Sequence, residues 1–214
     1  MVPQFIGTGK LILINAIVAT NVKQQFCKMS EGYQIRKQDA AHFLTMTVVE
    51  WLDVFSREEN KILLCESLNY CTEKKGLEIY AYVIMSNHIH LLARARERNL
   101  SDIVRDFKKF TSGKLISKIR RGRESRKEWM LEILTKKTKV ENQKSTMQLW
   151  QYENHPIEIY SPKWTKEKIQ YIHFNPVEEG VVQKPENYKY SSAFDYAGGQ
   201  GPVKISLINL HNLN

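Results

Sequence analysis

Residues 77–96, LEIYAYVIMSNHIHLLARAR, decide the fold of this chain. Apolar side chains alternate over Leu77–Met85, and a two-residue period of this kind is typical of a β-strand. One predicted strand face carries Leu77, Ile79, Ala81, Val83 and Met85. Ser86 and Asn87 predict a tight turn into a second strand, His88–Arg96, so the segment is expected to form a hairpin.

Strands and helices alternate around this hairpin. His42–Trp51 is rich in β-branched and aromatic residues and predicts a strand. Ser56 and Glu59 have the spacing of a capping box for a helix predicted over residues 57–75, and Asn99 can cap another helix after the hairpin. A β-α-β-β-α order predicts an α+β sandwich, in which helices cover one face of an antiparallel sheet.

Another helix is predicted late in the chain. Ser161 is a residue type favoured at a helix N-cap, and Pro162 follows at the first helical position. The apolar positions of this helix extend up to Asn175-Pro176. Before it, Lys136–Thr146 has the composition of an exposed linker.

His88 and His90 are candidate metal ligands. Residues i and i+2 of a strand point the same way, about 7 Å apart by strand rise. Both imidazoles can therefore converge on one divalent ion, while Ile89 anchors in the core behind them. Two histidines alone make an incomplete metal site, so a third ligand has to come from elsewhere. A purely structural histidine pair is the alternative.

Tyr171 and Asn175 form a second candidate pair. At positions i and i+4 of a helix, their side chains lie on one face, a turn apart. A tyrosine hydroxyl can attack phosphorus, and an amide oxygen suits a hard cation. The alternative is that Tyr171 packs in the core and that Asn175 caps a new helix.

Two segments in this order resemble the HUH single-tyrosine transposases, specifically the REP-associated tyrosine transposases of the IS200/IS605-like superfamily. They are Met85–Leu92 (MSNHIHLL) and Tyr171–Val177 (YIHFNPV). The likeness extends over residues 32–198 and includes Leu149–Gln151 and Tyr190–Ala193. It implies a ferredoxin-like domain, with paired histidines on a central strand and a tyrosine nucleophile on a helix.

Residue by residue, the resemblance implies that Tyr171 is the nucleophile. His88, His90 and Asn175 would be the ligands of a Mg²⁺ or Mn²⁺ ion. The implied function is a single-stranded DNA endonuclease and strand transferase, which forms a 5′-phosphotyrosyl intermediate on REP-like hairpins without a nucleotide cofactor. A non-catalytic nucleic-acid-binding protein on the same fold is the alternative. A zinc hydrolase is disfavoured, because no carboxylate or cysteine accompanies the histidines at ligand spacing.

The charge of the chain points to a polyanionic partner. Lysine and arginine total 32 against 23 acids, a formal net charge of +9. Residues 105–139 alone hold 13 of these cations and 4 acids. A solvated helix face is the alternative to phosphate contacts here. The predicted DNA-binding residues are Lys118, Arg120, Arg121, Arg123, Arg126 and Lys127.

Aromatic residues offer a second way of holding DNA. Trp150, Tyr152 and Trp164 could stack on unpaired bases, with core packing as the alternative.

The expected domain lies at residues 29–198, followed by a C-terminal tail at residues 199–214. Residues 1–28 are interpreted as an extension of doubtful origin; a genuine appended segment or a secretion signal are the alternatives. Its apolar run, Leu11–Thr20, is far below the roughly 20 residues that span a bilayer, so no membrane association is expected. Three cysteines without a CxxC pair favour the cytoplasm. A tail that packs over its own core favours a monomer over a dimer.

Overall fold

A computed structural model describes residues 35–97, 99–122, 125–140 and 147–209. The strands are β1 (His42–Thr47), β2 (Leu77–Ile84), β3 (His88–Ala95) and β4 (Ile157–Glu158). The helices are α1 (Glu58–Lys75), α2 (Leu100–Arg121), α3 (Lys127–Val140), α4 (Pro162–Glu178) and α5 (Ala193–Tyr196). The predicted N-terminal extension, residues 141–146 of the predicted linker and the last five residues of the predicted tail lie outside the described residues. Within the described part, no helix combines the length and apolarity needed to cross a membrane.

The four strands form one antiparallel sheet in the order β2-β3-β1-β4. This order confirms the predicted ferredoxin-like α+β fold, because the strand that follows each helix returns to a sheet edge. Strand β1 pairs with β3 so that Thr45 lies opposite His90 and Thr47 lies opposite His88. Directly opposed residues point to the same face of a sheet, so these four side chains share one face.

The hairpin departs from the predicted alternation at one place. The register of β2 against β3 shifts between Ile79 and Ala81, which marks a β-bulge. Beyond the bulge, Tyr82 and Ile84 take the face that Leu77 and Ile79 hold before it, and both are fully buried. The prediction that Leu77, Ile79, Ala81, Val83 and Met85 share one face is therefore wrong after Ile79. An inserted residue reverses the alternation of every residue that follows it.

Several predicted boundaries also change. Strand β1 ends at Thr47, and a short 3₁₀ helix occupies Val49–Trp51 instead of the predicted continuation of the strand. Helix α1 begins at Glu58 after an Arg57 N-cap that makes no side-chain cap hydrogen bond, so the predicted capping box does not form. Helix α3 extends through Val140, where the sequence predicts a linker from Lys136.

The C-terminal segment packs over the outer edge of β2. The backbone amide of Ile84 donates to the carbonyl of Tyr190 at 2.9 Å, and that of Ser206 donates to the carbonyl of Ile79 at 2.7 Å. The side chain of Val203 is fully buried. Because these contacts cover an edge that would otherwise present unpaired backbone groups, they close the sheet on this side.

Candidate active site

The two histidines of β3 lie side by side on one face of the sheet. Their ring centroids are 4.7 Å apart, and both residues are buried. Burial lowers the pKa of His88 to about 4 and holds the pKa of His90 well below its usual value, with the neighbouring His88 and Lys168 adding to the effect on His90. Both imidazoles are therefore neutral at pH 7, the form in which histidine binds a metal.

Asn87 determines which nitrogen of His88 carries the proton. The Asn87 side-chain nitrogen donates to the backbone carbonyl of Trp51 at 3.2 Å, which turns its Oδ1 atom toward His88 Nδ1 at 2.7 Å. An amide oxygen only accepts, so Nδ1 must hold the proton and Nε2 keeps its lone pair. On the second histidine, Nδ1 of His90 lies 2.9 Å from the hydroxyl of Thr45, which can act as donor or acceptor.

Helix α4 brings Tyr171 to the histidines. The helix begins where the sequence predicts, with Pro162 in its first turn and the Ser161 hydroxyl accepting a hydrogen bond from the Trp164 amide at 3.3 Å. The Tyr171 ring lies edge-on to His90, with centroids 5.2 Å apart, and edge-on to Phe43, with centroids 5.8 Å apart.

Tyr171 is exposed to solvent over 41% of its surface. Burial raises the pKa of its phenol, and the carboxylates of Glu178 and Glu179 add to the effect. The phenol is therefore protonated at neutral pH. No described residue forms a hydrogen bond with its oxygen, which is left available to an incoming group.

Asn175 lies one turn further along α4 and is buried. Its carboxamide interacts with the ring of His88 and acts against the lowering of that pKa by burial. Even so, the Asn175 Oδ1 atom receives no well-directed hydrogen bond from any described residue. A buried amide oxygen without a donor is costly unless something else uses its lone pairs. Its place beside the neutral imidazole of His88, which in turn contacts His90, suits a cation.

These donors fit a divalent ion. Within the described residues, no group of three or more histidine, cysteine, aspartate or glutamate side chains could hold a metal. The candidate set is therefore His88, His90 and the Asn175 carboxamide. Two imidazoles and one amide leave room for water or phosphate oxygens, which Mg²⁺ and Mn²⁺ accept readily.

A family model described as "Transposase IS200 like" matches residues 40–152, which is more than half of the chain. The chain belongs to the IS200-like transposase family. The matched segment of this transposase includes the histidine pair of β3 but ends before α4, the helix that carries Tyr171. No curated protein matches the sequence significantly.

The fold of this transposase is shared by a solved structure, that of a REP-associated tyrosine transposase bound to a REP hairpin. The two chains are 18% identical and superpose with a TM-score of 0.56, over 85% of this chain and 93% of the other. The comparison agrees with the family that the sequence resembles, and at this identity it establishes the shared fold.

Sequence reasoning missed Lys168, which lies one turn before Tyr171 on α4. Its ammonium nitrogen is 4.9 Å from the ring centroid of Phe43 and 5.6 Å from that of Tyr171. Burial lowers its pKa. The spacing of Lys168, Tyr171 and Asn175 is a signal that could have revealed it, because positions i, i+3 and i+7 share one helix face.

Trp51 is the second residue that sequence reasoning missed. It is 61% exposed and lies edge-on to His88, with ring centroids 6.1 Å apart. Its backbone and that of Glu50 adopt left-handed conformations, with φ of 55° and 51°. The sequence carries no signal for this turn, because its residues read as the end of a strand. An exposed indole beside the site can stack on an unpaired base.

The predicted DNA-binding cations do not form one surface. Arg120 lines a groove between α2 and residues 147–154. Lys118 and Arg121 line a shallow depression on another side of α2, and the Lys118 ammonium donates to the backbone carbonyl of Glu59 at 3.2 Å.

The other predicted cations lie beyond α2. The Arg126 guanidinium pairs with the Asp53 carboxylate at 2.7 Å, and the Lys127 ammonium lies 3.5 Å from the Glu128 carboxylate. Arg123 lies outside the described residues. DNA binding by these six residues stays a prediction.

The aromatic residues also separate. Trp150 is buried, and its indole nitrogen donates to the Thr111 hydroxyl at 3.0 Å, so it belongs to the core. Trp164 is partly buried, with its ring centroid 5.1 Å from that of Tyr160. Tyr152 is 66% exposed and is the member of this group that stays available to a base.

Asn87 provides a test of the site that does not require catalysis. Replacing it in Asn87→Leu removes the acceptor for His88 Nδ1, so we expect the imidazole to move to the Nε2–H tautomer. Mn²⁺ affinity should then fall about 10- to 100-fold, because Nε2 has lost its lone pair. Long-range ¹H–¹⁵N NMR of the metal-free protein reports the tautomer, and calorimetric titration with Mn²⁺ reports the affinity.

The matched control is Asn87→Asp, which keeps an oxygen opposite Nδ1 and should keep the native tautomer. An Asn87→Leu protein that retained both the tautomer and the native Mn²⁺ affinity would contradict this role for Asn87.

Proposed function

We propose that this transposase cleaves and rejoins single-stranded DNA through a covalent bond between Tyr171 and a 5′ phosphate. The observation that carries the proposal is the convergence of Tyr171 with His88, His90 and Asn175 at one place on the sheet. Membership of the IS200-like transposase family supports DNA as the substrate.

In this proposal His88, His90 and Asn175 hold one Mg²⁺ or Mn²⁺ ion. When bound, the ion supplies positive charge that polarises a phosphodiester and offsets the charge developing on its oxygens. The residues of the chain hold the donors ready for it: burial keeps the imidazoles neutral, Asn87 fixes the lone pair of His88, and α4 presents the Asn175 oxygen.

Tyr171 performs the covalent step. Its phenol oxygen attacks the phosphorus and forms a new oxygen–phosphorus bond, while the bond from phosphorus to the 3′ oxygen breaks. The electron pair of that bond remains on the 3′ oxygen, which takes up a proton as the phenol releases its own to solvent. Attack by another 3′ hydroxyl reverses the step and joins strands. The energy of the broken bond is kept in the phosphotyrosine, so no nucleotide cofactor is needed.

Lys168 supports this step by its charge. A protonated phenol is a poor nucleophile at neutral pH, and burial raises the pKa of Tyr171 further. The Lys168 ammonium, 5.6 Å from the Tyr171 ring centroid, places positive charge beside the phenolate that develops during attack. The same charge can attract the phosphate that approaches the tyrosine.

We further propose REP-like hairpins as the DNA substrate. The solved transposase of similar fold was bound to a REP hairpin. The sequence resemblance to the REP-associated branch points to the same substrate class for this chain.

We also propose that one chain forms a complete site. In the structure, Tyr171 packs against His90 of its own chain, and Asn175 lies beside its own His88. No exchange of α4 with another copy is needed to bring the four residues together. This arrangement supports a monomer as the active species.

Tyr171→Phe tests the nucleophile. The substitution removes only the hydroxyl and keeps the ring against His90 and Phe43, so folding and DNA binding should remain nearly native. Cleavage and the denaturation-resistant protein–DNA adduct should vanish. The assay is denaturing electrophoresis of a labelled single-stranded hairpin substrate incubated with Mg²⁺ or Mn²⁺, and a chelator should abolish both signals in the native protein.

Tyr160→Phe is the matched control, because Tyr160 is 72% exposed and packs on Trp164. It should cleave like the native protein. Adduct formation by Tyr171→Phe would show that another residue is the nucleophile. A native protein that binds the hairpin without cleaving it, with either metal present, would favour the non-catalytic DNA-binding alternative.

Lys168→Met tests the electrostatic role of that lysine. The variant keeps most of the aliphatic packing on Phe43 but removes the charge, and adduct formation should slow about tenfold or more. Single-turnover kinetics measure the rate, and Mn²⁺ titration should show no weaker metal binding. Lys166→Met is the control on another face of α4. Equal rates for the native protein and Lys168→Met would exclude the role.

The oligomeric state can be tested by mixing two inactive variants, Tyr171→Phe and His88→Ala. If copies exchanged α4, a mixed dimer would contain one intact site and cleavage would return. A monomer has no intact site in the mixture, so we expect no recovery of the adduct at any protein concentration. Recovered cleavage would show that the tyrosine acts on the histidines of another copy.

A further inference from the structure

A groove of about 760 Å³ lies between α2 and residues 147–154. It is separate from the site of Tyr171, and its floor and walls carry lysine, arginine and small hydroxyl side chains. The cations that face it on α2 are Arg105, Lys108, Lys109 and Arg120.

Lys108 is the strongest sign of a ligand in this groove. Its ammonium is mostly buried and donates to the backbone carbonyls of Gln151 at 2.5 Å and Tyr152 at 3.4 Å and to the side-chain oxygen of Asn154 at 2.7 Å. All its acceptors are neutral, and burial lowers its pKa to about 8. No carboxylate in the described part of the chain pairs with it. A buried charge without a counter-charge is costly, so an anion in the groove would be stabilised there.

Two more cations on the same side of α2 lack acidic partners. Among the described residues, no carboxylate pairs with Lys109 or Arg120, and Arg120 contacts the sulfur of Met147 at 3.3 Å. Arg105, in contrast, pairs with Asp102 at 2.6 Å. Of the described cations of the groove, those without an acidic partner are therefore Lys108, Lys109 and Arg120, which span about three turns of α2.

The shape of the groove also suits a chain of phosphates. Gly113 lies on α2 between the cations, and a Cβ atom built there would meet no atom within 4 Å. The floor of the groove therefore has free space between Lys109 and Arg120. At the groove wall, the ring of Tyr152 is exposed and can stack on a base that is not paired.

The groove adjoins the catalytic face through β1. The Gln151 amide donates to the carbonyl of Thr47 at 2.8 Å, and the Thr45 amide donates to the carbonyl of Asn154 at 2.8 Å. The Thr45 hydroxyl in turn contacts His90. Only strand β1 therefore lies between the wall of the groove and β3, which carries the histidines.

We propose that this groove holds an unpaired segment of the DNA substrate, with Lys109 and Arg120 on backbone phosphates, the buried charge of Lys108 attracting them and Tyr152 under a base. The proposal rests on the proposed function and specifies where that DNA lies. It assigns binding to the groove rather than to Lys118 and Arg121, which face another side of α2.

The first test compares two double variants of α2 that remove equal charge. Lys109→Gln/Arg120→Gln changes the groove, and Lys118→Gln/Arg121→Gln changes the other side. Binding of a labelled single-stranded oligonucleotide is measured by anisotropy over a salt series, in a Tyr171→Phe background that prevents turnover. The groove variant should bind roughly tenfold more weakly, with a salt slope reduced by about 1.4 for two lost phosphate contacts. The control should keep nearly the native slope.

The second test fills the groove without removing any cation. Gly113→Gln and Gly113→Glu are equal in size, and both replace a helical glycine with a better helix former, so folding should not suffer. The Glu variant should bind the oligonucleotide more weakly than the Gln variant, because only its charge repels phosphate. Tyr152→Ala should weaken binding roughly tenfold through lost stacking.

The outcomes distinguish failure of the proposed function from failure of the proposed DNA-binding groove. A native protein that binds neither the oligonucleotide nor a hairpin with a single-stranded flank would overturn the proposed function itself. Native binding with equal losses in both double variants would overturn the groove and leave the function standing. A hairpin without single-stranded flanks serves as a further probe. If the groove variant lost affinity for this blunt hairpin but not for the oligonucleotide, the groove would hold a duplex, and the proposal of an unpaired strand would be overturned.

Discussion

The register between β1 and β3 is the constraint on which the rest of the structure depends. It sets Thr45 opposite His90 and Thr47 opposite His88, so both imidazoles face the side of the sheet that α4 covers. A slip by one residue would turn the histidines into the apolar core and bring Ile89 out in their place. The same strand pairs on its other edge with residues 151–154, so the wall of the basic groove is fixed by β1 as well.

The Asn175 amide oxygen and the Lys108 ammonium are buried polar groups without full compensation, and each lies where a ligand could reach it. On the side of the sheet that α4 covers, the Asn175 amide oxygen lies beside the neutral ring of His88 and receives no well-directed hydrogen bond from a described residue. On the other side, the Lys108 ammonium is held only by neutral oxygens. Each arrangement costs folding free energy, and each would be relieved by a ligand of opposite character: a cation for the first and a phosphate for the second. A DNA strand near a bound metal ion would satisfy both.

Much of this could be predicted from the sequence because the signals are local. His88 and His90 are two residues apart on a strand, so a common face follows from strand geometry alone. Tyr171 and Asn175 share a helix face for a similar reason, and Ser161 with Pro162 predicts where α4 begins. The order of strands and helices was enough to predict an α+β sandwich, and the family resemblance implied its ferredoxin-like form, which the sheet order confirms.

The tertiary structure decided the features that depend on partners distant in sequence. The bulge after Ile79, the left-handed turn at Trp51 and the hydrogen bonds of Asn87 follow from packing between segments, and no local pattern marks them. The groove likewise exists only because residues 147–154 pair with β1 and face α2. The sequence alone determined which residues share a face wherever the period of one element is unbroken, as at His88 and His90 or at Tyr171 and Asn175. Which faces meet depends on how the elements pack together, and only the folded chain settles it.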